Sequence, residues 1–149
     1  MNKIKINNLQ KKIKVNRSKL EELADTVLRG HGVDNAEVSV ILVGDRAMRG
    51  FNKRYLHKDR PTDVIAFRMA DGEFAGVHPE LLGDVIVSLE TARRQAGLLR
   101  VSLDGEISLY LVHGLLHLLG YTDTTLAGFR RMEHKQKELL NAYASTQTV

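Results

Sequence analysis

The sequence has no cysteine at all. That excludes disulfides, thiolate metal sites and cysteine nucleophiles together, and leaves His, Asp and Glu as the residues able to hold a transition metal. No long hydrophobic run is present either. The most apolar stretch, Ile107 to Leu119, is interrupted by Ser108, His113, Gly114 and His117 and is too short to span a bilayer. The opening MNKIKINNLQKK lacks the apolar core of a secretory signal. A cytoplasmic protein with no membrane partner is therefore expected. Acids are missing from residues 1–19, which carry Lys3, Lys5, Lys11, Lys12, Lys14, Arg17 and Lys19. A second basic cluster runs through Arg46, Arg49, Lys53, Arg54, Lys58 and Arg60, and the formal net charge is +4. Such patches attract polyanions by counterion release, although solvated lysines alone would give the same composition.

What is present suits one globular domain over residues 1–149, with 43% hydrophobic and 27% charged residues. Alternation predicts a strand at Lys3–Asn7, and the apolar run Val38–Val43 predicts a buried one. Further strands are expected at Asp63–Phe67 and Asp84–Ser88, with a loop over 69–81. The pattern Ser18-Lys-Leu-Glu21 reads as a capping box opening a helix that stops near Gly30–Gly32. Asp45 is expected to cap a helix reaching about Tyr55. Further helices are expected at Leu89–Gly97, from an Asp104 cap to Leu119, and over Ala127–Tyr143. Interleaved strands and helices with only four strands predict an α+β fold, a small mixed sheet covered by about five helices. The helix ending at Leu119 is apolar on nearly every side, so it is expected to be the central buried one.

That helix carries His113-Gly-Leu-Leu-His117-Leu-Leu-Gly120-Tyr-Thr-Asp123. Histidines four apart project from one face and can share an ion. Gly120 permits a left-handed exit that swings Asp123 back toward that face. The layout has the spacing of a metzincin zinc helix. An unpartnered imidazole is costly inside an apolar helix, so two on one stripe favour a metal site over chance. A zincin protease carries a glutamate general base directly after its first histidine; here that position is Gly114, which argues against peptidase chemistry.

These residues resemble the YbeY endoribonuclease and rRNA maturation factor family, whose signature is HGxLHLxGYDH. His113 to Tyr121 reproduces its first nine positions. Phe51 to Phe67 is similar to the family stretch LNxxYRxKDxPTDVLSF, and Leu82-Gly-Asp-Val-Ile-Val-Ser88 with Gln95-Ala96 is similar to its LGDI strand and following helix. The resemblance implies a zinc ion held by three residues and a metal-dependent endoribonuclease that matures small-subunit rRNA at its 3′ end and serves ribosome quality control.

Two departures stand out. Where the family has Asp-His after Gly-Tyr, this chain has Thr122-Asp123. Asp123 is then the third ligand beside His113 and His117, or another residue such as His134 supplies it. Two histidines and a carboxylate suit iron or manganese as well as zinc, and the carboxylate makes the ion a weaker Lewis acid. The second departure is Leu56, which stands where the resemblance implies a functional arginine; Arg54, His57 or Arg60 are the candidates to replace it. Lys53, Arg54, Lys58 and Arg60 are expected to hold the RNA backbone. Two rival readings follow from these departures and from the spacing: a non-catalytic RNA-binding ribosome-assembly factor with a structural metal, and a metal hydrolase of small molecules.

Overall fold

A computed structural model of the chain describes residues 1–57, 62–71 and 80–147. Four strands alternate with helices: β1 (Lys3–Asn8), α1 (Arg17–Gly30), β2 (Glu37–Val43), α2 (Asp45–Leu56), β3 (Val64–Arg68), a 3₁₀ turn (Met69–Asp71), β4 (Leu81–Ser88), α3 (Leu89–Leu99), α4 (Leu103–Leu118) and α5 (Leu126–Gln147). The sheet order is β1-β2-β4-β3. β1 runs parallel to β2 and β2 to β4, whereas β3 pairs antiparallel with β4 as an edge strand. This is the expected α+β fold with a mixed four-stranded sheet and five helices.

Strand alternation divides the core between the two faces of the sheet. Val38, Val40, Leu42, Val85 and Val87 pack with Leu111, Val112, Leu115 and Leu116 of α4 and with Leu23, Val27 and Leu28 of α1. Val64 and Ala66 of β3 join the same face. On the other face Val43, Ile65 and Ile86 meet Met48 of α2, with Phe51 and Phe67 alongside. α4 is buried on most sides, as its composition predicts. It lies close against β3 and β4 because residue 114 is glycine. A Cβ there would stand 2.5 Å from Val85 Cγ1 and 3.2 Å from Val64 Cγ2.

Helix starts differ from the capping expectations in an instructive way. The N-cap of α1 is Asn16, which accepts from the Lys19 amide; Ser18 is already inside the helix. α4 is capped by Ser102 instead of Asp104, which lies in its first turn. Asp45 does not cap α2 either. Its own amide donates to Glu90 Oε1 of α3 at 2.9 Å, while its carboxylate accepts from Ser88, Thr91 and Arg94. Carboxylates at a helix start thus serve as ties between helices as readily as caps. The loop expected over 69–81 includes a 3₁₀ turn at its start, and its end belongs to β4; residues 72–79 lie outside the described residues. No helix among the described residues is long and apolar enough to cross a membrane.

Candidate metal centre

The last two turns of α4 place His113 and His117 on one side of the helix, partly exposed where the neighbouring positions are buried. After Leu118 the chain turns through Gly120, whose φ of +100° lies in the region that glycine tolerates without strain. Tyr121 locks the turn. Its hydroxyl is 3.1 Å from Nε2 of His31, whose Nδ1–H donates to the Val27 carbonyl, so the hydroxyl is the donor. The two rings meet edge to face. Held this way, the segment returns Asp123 to the histidines, with Oδ2 3.7 Å from His113 Nε2 and 3.6 Å from His117 Nε2.

The tautomers follow from the partners. His117 Nδ1 lies 3.1 Å from the Tyr121 carbonyl, which can only accept, so Nδ1 carries the proton. His113 Nδ1 faces Gln136 Oε1 of α5 in a short hydrogen bond. Both Nε2 lone pairs are then turned inward, 3.1 Å apart. Burial and the neighbouring His113 push the His117 pKa below the usual imidazole value, which outweighs the pull of Asp123 in the other direction. At neutral pH the ring is neutral. Two lone pairs facing each other beside a carboxylate form a site that asks for a cation.

His113, His117 and Asp123 each offer one ligand atom, and these atoms all lie within 4.8 Å of one another. A tetrahedral ion with bonds of about 2.0–2.1 Å separates its ligand atoms by roughly 3.3–3.4 Å, close to the spacings found here. The three residues can hold a metal. Gln136 and the Tyr121 carbonyl are the outer partners that orient the ligating rings in such sites. Neither was expected from the sequence. Gln136 sits one helical turn beyond the buried Met132, which was its only signal.

His134, the alternative third ligand, is directed elsewhere. Its side chain is 84% exposed, and its nearest charged partner is Glu138 at 3.9 Å. Asp123 is the residue that joins the pair.

A cleft of about 410 Å³ opens at the centre, with His113, Gly114 and His117 on one wall and Val64, Ala66 and Arg68 of β3 on another. Leu56, Gly120, Tyr121 and Thr122 also line it. Lys53 and Arg54 lie exposed in the last turn of α2, outside the lining of this cleft. Lys58 and Arg60 fall outside the described residues.

Comparison with known proteins agrees with the sequence motif. The family model described as endoribonuclease YbeY matches residues 5–144. A Geobacter metallireducens protein named endoribonuclease YbeY is 42% identical over 139 residues, covering 92% of this chain and 93% of its own. One of the same name from Aquifex aeolicus is 46% identical over 111 residues, 74% of this chain and 72% of its own. A Thermotoga maritima protein of known solution structure shares the fold with a TM-score of 0.67 at 23% identity, across 99% of this chain and 91% of that one. With a family model spanning nearly its whole length and relatives this similar, the chain belongs to the YbeY endoribonuclease family.

Proposed function

We propose that this protein is a metal-dependent endoribonuclease acting on ribosomal RNA of the small subunit in the cytoplasm, with the ion on His113, His117 and Asp123. The observation that carries the metal half is the pair of inward Nε2 lone pairs 3.1 Å apart, each ring fixed by an oxygen acceptor on its other nitrogen. A divalent ion there supplies Lewis acidity toward a phosphodiester oxygen. The chain does the rest. Gln136 and the Tyr121 carbonyl hold the tautomers, and the carboxylate of Asp123 tempers the charge, so that iron or manganese suits the site as well as zinc. Peptidase chemistry has no support. The glutamate it needs would replace Gly114, where even a Cβ collides with Val85.

The test is digestion of RNA by highly purified protein beside its His117→Ala variant, with defined metals added back. Cleavage by the wild type alone, restored by one metal, is the expected result. One observation favours a second reading. Leu56, unable to bind phosphate, lines the cleft at the position of the family's arginine. If the wild type binds metal and RNA but cuts nothing, the non-catalytic assembly factor replaces the nuclease.

A further inference from the structure

The cleft beside the histidines has one Lys or Arg among the described residues that line it, Arg68. Alternation along β3 explains why it is there. Val64, Ala66 and Arg68 share the face turned to α4, while Ile65 and Phe67 pack toward α2. Strand geometry therefore aims the guanidinium at the metal-bearing helix. Its Nε donates to the Leu118 carbonyl at 3.1 Å, one residue from His117. Nη1 pairs with Asp71 at 3.2 Å, and the Asp71 side chain is 71% exposed. Nη2 faces the Gly120 turn so closely that a Cβ at residue 120 would stand 3.4 Å away. Nη2 has no partner among the described residues.

This is a built arrangement. One nitrogen is anchored to a backbone carbonyl, so the planar group is held in place before any ligand arrives. The other two face Asp71 and the Gly120 turn, both part of the cleft lining. The pair with Asp71 is a surface ion pair, which water weakens and an incoming anion can displace. Nη1 and Nη2 form the fork that matches two oxygens of a phosphate. Among the described residues, no other Lys or Arg lines the cleft.

We propose that Arg68 holds the substrate phosphodiester beside the histidine pair, supplying the guanidinium absent at Leu56. The proposal rests on the endoribonuclease reading for its reaction, but its binding consequence stands apart from it. Arg68 touches the phosphate; Leu56 marks empty space on the same cleft into which a longer cation can reach.

The experiment compares wild type, Arg68→Gln, Leu56→Arg and the double variant on a single-stranded RNA oligonucleotide, with manganese or zinc added. Arg68→Gln should lose about a hundred- to a thousandfold in kcat/KM, the usual cost of one oriented donor to a developing charge. It should still bind one metal ion per chain. The log–log slope of RNA affinity against salt should fall by about 0.7, one phosphate contact on a single strand. Leu56→Arg should restore most of the activity in the Arg68→Gln background. A role in merely bracing Leu118 could not be rescued by a residue of α2. Should Arg68→Gln fail to fold, Arg68→Lys decides: retained salt slope with most of the rate lost supports the proposal, and a wild-type rate overturns it. Wild-type rate and slope in Arg68→Gln overturn it as well, as does a loss that Leu56→Arg leaves unrepaired. If the wild type cleaves no RNA, the endoribonuclease reading falls by itself, and the slope alone judges Arg68.

Discussion

An imidazole can present either nitrogen to an ion, and which one it presents is settled by what the other nitrogen bonds. In this centre Gln136 and the Tyr121 carbonyl make that choice for His113 and His117. Replacing Gln136 with Leu leaves His113 free to change tautomer or rotate. Zinc affinity should drop by about 10- to 100-fold, as found when outer partners of ligating histidines are removed; competition with a chromogenic chelator reads it directly. Asp123→Ala should cost more, because it removes a ligand atom, and Asp123→His should recover zinc binding. Unchanged affinity in Asp123→Ala would remove the carboxylate from the proposed ligand set. Protons compete for the same lone pairs. Burial lowers the His117 pKa, so protonation of that ring is disfavoured in the folded chain. In the metal-free protein the unfolded chain then binds the proton more readily, so stability is greater at neutral pH and declines as pH falls below the ordinary imidazole value. Metal affinity should decline over the same acid range, which titration of zinc release against pH will show.

The residues expected to hold the ion were legible in the sequence because one helix and its exit turn carry all three. Spacing along one element converts directly into geometry. Gln136 and Arg68 lie on other elements, and no spacing relates them to α4. Arg68 was also hidden by its polarity, since a charged residue after Ile-Ala-Phe reads as the end of a strand, whereas pairing with Gly83 carries β3 one residue further. The start of β4 was missed for a similar reason. Leu81 and Leu82 precede a glycine, which weakens a strand pattern, yet Leu81 and Gly83 pair with β2. Gly114→Ala forces α4 away from Val85 and Val64, and such overpacking typically costs about 1–3 kcal/mol; chemical denaturation should show it, along with weaker metal binding as the histidines shift. Asp45, which links α2 to α3, gives a pH signature. Burial would raise its pKa, but Arg94, Thr91 and Ser88 together hold it below the usual carboxylate value. A depressed folded pKa contributes stability above the ordinary value of 3.8 and loses it as pH falls through the folded one. Asp45→Asn should be less stable than wild type at pH 6, with the gap narrowing on acidification through that range.

Composition identifies an excess of positive charge but does not say which cations are free to meet a polyanion. The structure sorts part of the first cluster. Lys5 pairs with Glu37 at 2.7 Å, Lys3 approaches the same carboxylate at 3.9 Å and Lys12 approaches Glu90 at 3.6 Å, so three of the seven N-terminal cations have acids beside them. Those acids come from β2 and α3, which explains why a tract free of acid in sequence is not free of acid in space. Lys53 and Arg54 stand exposed on α2, the helix whose last residue, Leu56, borders the cleft. RNA entering the cleft would pass near that helix end, and its backbone would meet these side chains without reading sequence. Each phosphate contact removed lowers the log–log salt slope by about 0.7 on a single strand. Lys53→Ala and Arg54→Ala should each show that decrease and act nearly uniformly across RNA sequences. Lys5→Ala should leave the slope almost unchanged, because its charge already faces Glu37. Equal decreases for Lys5 and Lys53 would mean that RNA binds through diffuse net charge, with no footprint centred on the cleft.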